Sequence, residues 1–148
     1  YYTGVITMAW AWRIALLTVG IHLICNQRYG YFRDELYFLA AAEHLDWGYV
    51  DFAPLVAWIA RLSRSLFGDS LSSIRLFPAL AHGALVVLSG LLAREMGGGR
   101  YAAGLAAACT LLAGGYLLLG NFLSMNAFEP LFWMGFVLFI LRALERSD

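Results

Sequence analysis

The chain has 148 residues, of which 61% are hydrophobic and only 14% are charged, against roughly 25% charged in ordinary soluble domains. This composition excludes a soluble globular domain and a disordered chain. The basic residues are all arginine, and the ten of them balance ten acids, so a nucleic-acid partner is not expected. We predict one all-α integral membrane domain over residues 1–148, because helices satisfy their own backbone hydrogen bonds in lipid.

Four apolar segments predict four transmembrane helices, at about residues 5–25, 74–93, 101–119 and 128–145. The last segment is short, so its helix must use its flanks to cross the bilayer. Spans two and three are joined by a tight connection with three consecutive glycines at 97–99. Such a connection is typical of a turn between antiparallel helices.

The connection between spans one and two, residues 26–73, is long and holds six of the ten acids. Its pattern predicts two short helices, 34–45 and 54–67. In the second helix large apolar residues share one face, as is typical of a helix lying in the membrane interface: Leu55, Trp58, Ile59, Leu62 and Leu66. The arginines divide almost evenly between the two sides of the membrane, so the positive-inside rule does not decide the orientation.

Two acids at helix starts are the first candidates for chemistry. Asp34, with Glu35 beside it, opens the first loop helix. It could act as a general base at the membrane face or serve only as a helix cap. Glu129 precedes Pro130 at the start of the fourth span. An acid at this position is either functional or interacts favourably with the helix dipole. The topology puts Asp34 and Glu129 on the same side, so they could share one cavity.

Other polar residues lie on that side as well. Asp51 precedes the interfacial helix and is either a site residue or a turn residue. Arg61, Arg64 and Arg75 suit bidentate binding of a phosphate, and contact with lipid head groups is the alternative. No histidines or cysteines have metal-binding spacing, so we predict no metal ligands and treat the histidines as separate packing or loop residues. A divalent-metal cofactor stays open.

Several short motifs, in this order across nearly the whole chain, carry a resemblance. The chain resembles the polyprenyl-phosphate-sugar-dependent glycosyltransferases of the GT-C fold. Within them it is most similar to the bacterial branch related to protein O-mannosyltransferases and lipid A aminoarabinose transferases. The motifs are RDELY at 33–37, GYVDFAPL at 48–55, LFGDS at 66–70, IRLFPAL at 74–80, LAREMGG at 92–98 and MNAFE at 125–129.

The resemblance implies a membrane enzyme that moves a sugar from a polyprenyl phosphate to a hydroxyl of a lipid, polysaccharide or protein. It implies the bacterial inner membrane, with the long loop outside the cytoplasm. It implies that Asp34 is the catalytic base, with Glu35 beside it, and that Glu129 is a second acid of the same cavity. The residues then expected to bind substrate are Tyr37, Asp51, Arg61, Arg64, Arg75 and Asn126.

Members of this family have many more spans than four, so we expect residues 1–148 to be the N-terminal part of one GT-C-like transmembrane domain and to be inactive alone. Two other functions stay open. The chain could be part of a transporter or flippase that uses Arg13 and Glu129 as intramembrane charges. It could also be a membrane subunit without catalytic activity that only docks partners.

Overall fold

The computed structural model describes residues 3–145, with side chains from Met8 onward, so the outermost residues of the predicted 1–148 domain lie outside the described residues. Within that range every regular element is helical, which confirms the all-α prediction. The elements are α1 (Thr3–Cys25), α2 (Arg33–Glu43), α3 (Leu55–Phe67), α4 (Leu71–Glu95), α5 (Arg100–Leu112), α6 (Gly114–Leu119), a 3₁₀ turn at Met125–Ala127, and α7 (Glu129–Glu145).

Three helical stretches of the described chain are long and apolar enough to cross a membrane: Met8–Cys25, Leu71–Glu95 and Met125–Glu145. The segment expected as one span at 101–119 is divided into two helices. Ala113 between them is extended, with φ −66° and ψ 111°, so α5 ends there and α6 begins. The apolar pattern does not show this break, because alanine is itself a strong helix former.

Helix α4 is the centre of the fold and packs against α1, α3, α5 and α7. It forms an apolar core with α1 and α5 that is built largely from small side chains, which let helices approach closely in a membrane protein. A Cβ added at Gly90 of α4 would lie 3.0 Å from the Ala11 Cβ and 3.2 Å from the Ala103 carbonyl oxygen. The buried members of this core are Met8, Ala11, Ala15, Val86, Val87, Ala103, Ala107 and Leu111.

The two loop helices, α2 and α3, lie within two residues of the ranges expected for them. They pack on each other, and α3 also packs on α4. Helix α3 uses its small face for this packing, with Val56, Ala57, Ala60 and Ser63 buried. Its large apolar residues Leu55, Trp58, Leu62 and Leu66 are exposed. The face expected to contact the membrane is therefore left uncovered by the described protein.

A tight corner joins α3 to α4. Gly68 ends α3 with φ +78°, a conformation that favours glycine, and the Ser70 side chain caps α4 by accepting from the Ser73 N–H. Two buried serines stabilise this corner, because each hydroxyl donates to the backbone carbonyl of the other serine. The Ser63 hydroxyl donates to the Ser73 carbonyl at 2.5 Å, and the Ser73 hydroxyl donates to the Ser63 carbonyl at 3.1 Å.

Candidate functional site

A buried ion pair anchors the start of α2 to α4. The side chains of Glu35 and Arg75 are both fully buried. The Arg75 Nε donates to Glu35 Oε1 at 2.7 Å, and its Nη2 donates to Oε2 at 2.6 Å. This is the two-bond geometry in which a guanidinium matches a carboxylate. Forty residues separate the two in sequence, so the pair fixes the long loop to the central helix.

The remaining hydrogen-bonding capacity of the ion pair is also used by the protein. Glu35 accepts from the N–H of Phe32 at 2.8 Å and from the N–H of Leu123 at 3.1 Å. The Arg75 guanidinium donates to the carbonyls of Asn26, Tyr29 and Gly30 and lies 4.5 Å from the centre of the Tyr29 ring. Glu35 and Arg75 are both predicted from the sequence to act at the substrate. In the structure they are instead bonded to each other and to the backbone.

Asp34, the predicted base, has a different environment from its neighbour. Its side chain is 43% exposed, and its ion-pair partner within the described part of the chain is Arg33 at 3.4 Å, whose side chain is 94% exposed. The Asp34 carboxylate is thus open to solvent, while its backbone is held by the Glu35 anchor one residue away. An accessible carboxylate on a restrained backbone could reach the proton of an acceptor hydroxyl, as a general base must.

Tyr37 and Asp51, both predicted to bind substrate, contact each other. The Tyr37 hydroxyl donates to Asp51 Oδ1 at 2.8 Å, and this hydrogen bond raises the pKa of the Tyr37 phenol. Because Tyr37 lies three residues after Asp34 on α2, the two project on neighbouring positions of one helix face. The structure therefore brings Asp34, Tyr37 and Asp51 to the same side of α2.

The arginines predicted to bind phosphate are separated by the structure. Arg61 is exposed on α3 and makes no ion pair with a described residue. Arg64 instead binds Asp69 and lies 3.4 Å from Glu43, which joins α2 to the α3–α4 corner. These hydrogen bonds raise the pKa of Arg64, and its guanidinium lowers the pKa of Asp69.

Glu129 and Asn126 line a cavity between α3, the 3₁₀ turn and α7. Its volume is about 290 Å³, close to the lower end of the range for small-molecule sites, about 300 Å³. Asp34 is not among the residues that line it, so the shared cavity proposed from topology is not seen in this arrangement. The lining residues are Ala53, Leu55, Val56, Met125, Asn126, Phe128, Glu129, Phe132 and Trp133.

Sequence reasoning missed one buried polar cluster and treated its members as separate residues. His22 of α1 and His82 of α4 are bonded to each other, and His22 is also bonded to Asn121. No spacing rule could have found this contact, because 60 residues separate the two histidines. Among the described residues, no three His, Cys, Asp or Glu side chains gather as a metal site would require.

Comparison with protein families gives a match to the family described as dolichyl-phosphate-mannose-protein mannosyltransferase, over residues 51–148. The chain belongs to this family. The match covers Asp51, Arg61, Arg64, Arg75, Asn126 and Glu129, and it begins after Asp34 and Glu35. No curated protein and no solved structure matches the chain.

Membership confirms the resemblance drawn from the motifs. It implies membrane glycosyltransferase activity with a polyprenyl-phosphate sugar as donor. The apolar helices agree with a membrane protein.

Proposed function

We propose that this chain carries the base-bearing part of a glycosyltransferase active site. The enzyme would transfer a sugar from a polyprenyl phosphate to an acceptor hydroxyl on the non-cytoplasmic side. The observation that carries the proposal is the contrast at the start of α2. Asp34 is open to solvent and, among the described residues, has only a long contact to an exposed arginine, whereas Glu35 is fully buried and bonded.

In the proposed reaction Asp34 accepts the proton of the acceptor hydroxyl while the hydroxyl oxygen attacks the anomeric carbon. The new glycosidic bond forms as the bond from that carbon to the phosphate oxygen breaks. Polyprenyl phosphate leaves with the bonding electron pair. Of the three arginines predicted to bind phosphate, we assign this contact to Arg61, because Arg64 and Arg75 are already paired with acids.

We assign positioning roles to Glu35 and Arg75 rather than contact with substrate. Their pair holds the backbone just before Asp34, since Glu35 accepts from the Phe32 N–H and Arg75 donates to the carbonyls of Tyr29 and Gly30. Loss of a positioning residue misplaces the base, and small displacements of reacting groups lower rates strongly.

The cavity at Glu129 supports a role in sugar or acceptor binding. It combines a carboxylate and an amide, Glu129 and Asn126, with the exposed rings of Phe132 and Trp133. Carboxylate and amide groups hydrogen-bond to hydroxyls, and aromatic faces cover the apolar side of a sugar ring. Asp51 lies two residues before Ala53, which lines this cavity, and it accepts from the Tyr37 hydroxyl. We propose that Asp51 and Tyr37 contact the substrate between the two acids.

The transporter alternative rests on Arg13 and Glu129 acting together within the membrane. The structure puts them on different helices, α1 and α7, and no ion pair joins them among the described residues. Glu129 is moreover the first residue of its helix, at the helix end rather than at mid-span. Nothing observed favours that alternative or the docking subunit.

The test compares Asp34→Asn with Asp46→Asn in the full-length protein, reconstituted in liposomes with a labelled polyprenyl-phosphate sugar. Asp46 is an exposed acid of the same loop and serves as the matched control. We expect release of polyprenyl phosphate to fall by a factor of about 100 or more in Asp34→Asn and to stay unchanged in Asp46→Asn. Full activity of a folded Asp34→Asn protein would reject the base assignment.

A further inference from the structure

A buried chain of hydrogen bonds crosses the helix bundle outside the proposed site. His22 Nε2 lies 2.8 Å from His82 Nδ1, and both side chains are almost fully buried. His22 Nδ1 lies 3.0 Å from the Asn121 side-chain oxygen, and His82 Nε2 lies 3.2 Å from the Thr110 carbonyl oxygen. The chain therefore has three links and joins α1, α4, α5 and the segment after α6.

Both ends of this chain are hydrogen-bond acceptors. The Thr110 carbonyl oxygen can only accept. The Asn121 amide is oriented by its own nitrogen, which donates to the Leu117 carbonyl at 2.9 Å. Turning the amide over would place its oxygen against that carbonyl, so the Asn121 oxygen faces His22. Neither end can supply a proton to the two rings between them.

Counting protons shows that two neutral histidines cannot complete this chain. Each of the three links needs one proton between its two heavy atoms, and a neutral imidazole carries only one N–H. Two neutral rings supply two protons, which leaves one link with two lone pairs facing each other. A third proton, shared by the pair, completes all three links.

The surroundings of the pair are closely fitted to it. A Cβ added at Gly120 would lie 2.5 Å from His22 Nε2, so the absence of a side chain there allows the rings to meet. The titratable groups nearby are two phenols. The ring centre of Tyr116, on α6, lies 6.1 Å from that of His82. The Tyr29 hydroxyl donates to the backbone carbonyl of Asn121 at 2.9 Å. No described carboxylate or guanidinium bonds to either ring.

Two residues of this hydrogen-bond chain lie close in sequence to residues that bond to the Glu35–Arg75 ion pair. Asn121 lies two residues before Leu123, whose N–H donates to Glu35. His22 lies one helical turn before Asn26, whose carbonyl accepts from Arg75. Ordering of Asn121 and His22 therefore restrains the backbone close to Leu123 and Asn26, whose backbone groups bond to the ion pair.

We propose that His22 and His82 form one proton-binding site that takes up a single proton between them and so completes the hydrogen-bond chain from Asn121 to Thr110. Proton uptake fastens the segment after α6 to α1 and α4. Titratable groups buried at membrane depth are costly and frequently functional, and strongly coupled pairs titrate as one unit. The proposal does not depend on the glycosyltransferase assignment.

The test is an NMR titration of the full-length protein with ¹⁵N-labelled histidine in lipid nanodiscs, between about pH 5 and 8, where histidines respond. We expect the His22 and His82 signals to change together over one pH interval, with two ring N–H protons above it and three below it. His44, an exposed loop histidine, provides a reference signal from outside the pair.

Two variants distinguish proton uptake by the hydrogen-bonded pair from independent titration of two histidines. Asn121→Leu removes one terminal acceptor, so two protons satisfy the remaining links and we expect the shared transition to disappear. Asn126→Leu makes the same change at an amide outside the chain and should leave the transition intact. If Asn121→Leu fails to fold, the wild-type count of ring protons decides. Two neutral rings throughout, or one proton taken up by each ring independently, would overturn the proposal.

Discussion

Replacing Arg75 with methionine should destabilise this protein far more than the same change at an exposed arginine. The variant leaves the Glu35 carboxylate fully buried without its cation, and three loop carbonyls lose their donor. Removing one partner of a buried ion pair costs about 3–5 kcal/mol of unfolding free energy, because an uncompensated charge remains in a low dielectric. We expect Arg75→Met to fall in this range.

The double variant Glu35→Met/Arg75→Met tests the reasoning further. It leaves no buried charge, so its cost should be smaller than the sum of the two single costs, by up to about 3 kcal/mol. Two backbone N–H groups, of Phe32 and Leu123, still lose their acceptor, so the double variant should not be neutral.

The assay is reversible unfolding of the purified protein in mixed detergent micelles, followed for wild type, both single variants and the double variant. Arg61→Met is the matched control, because Arg61 is exposed and pairs with no described residue. Its cost should be within about 0.5 kcal/mol of zero. If Arg75→Met costs no more than Arg61→Met, or if the costs of the single variants simply add, the pair does not anchor the loop.

Three smaller changes should also be measurable. Gly120→Ala places a methyl group against the His22 ring, and this overpacking should cost about 1–3 kcal/mol of unfolding free energy in the same assay. Ser63→Ala removes a buried donor from the α3–α4 corner and should cost about 1 kcal/mol. Arg64→Met should raise the pKa of Asp69 toward its ordinary value, as followed by NMR. The stability that the Arg64 contact contributes through Asp69 is present above that ordinary value and is lost as the pH falls through the lowered one.

The glycine and serine changes each have a control in the chain. Gly114→Ala adds the same methyl group where nothing lies within 4 Å, and Ser65→Ala removes an exposed hydroxyl. Both should leave the free energy of unfolding nearly unchanged. Equal costs for the two glycine changes, or for the two serine changes, would contradict the packing and the hydrogen bonds described here. An Asp69 pKa that does not respond to Arg64→Met would show that the ion pair is absent in solution.

The sequence predicted the local structure well, because its signals are local. The position of α3 follows from its apolar spacing and from Gly68, which ends it, and the start of α2 follows from the acids in its first turn. Those signals act within a few residues. The placement of Asp34 at the start of a helix follows from the same kind of pattern. Family membership could likewise be anticipated from short motifs in order, without knowledge of any contact between them.

The sequence by itself therefore determined the helical class, the membrane character and the two loop helices, since composition and periodicity are enough for these. Only the tertiary structure decided which of two adjacent acids is buried. Asp34 and Glu35 differ because Arg75, 40 residues away, lies beside one of them. It likewise decided that His22 meets His82. Ion pairs and hydrogen bonds between distant segments depend on how helices pack, and packing depends on side-chain fit across the whole bundle rather than on spacing along the chain.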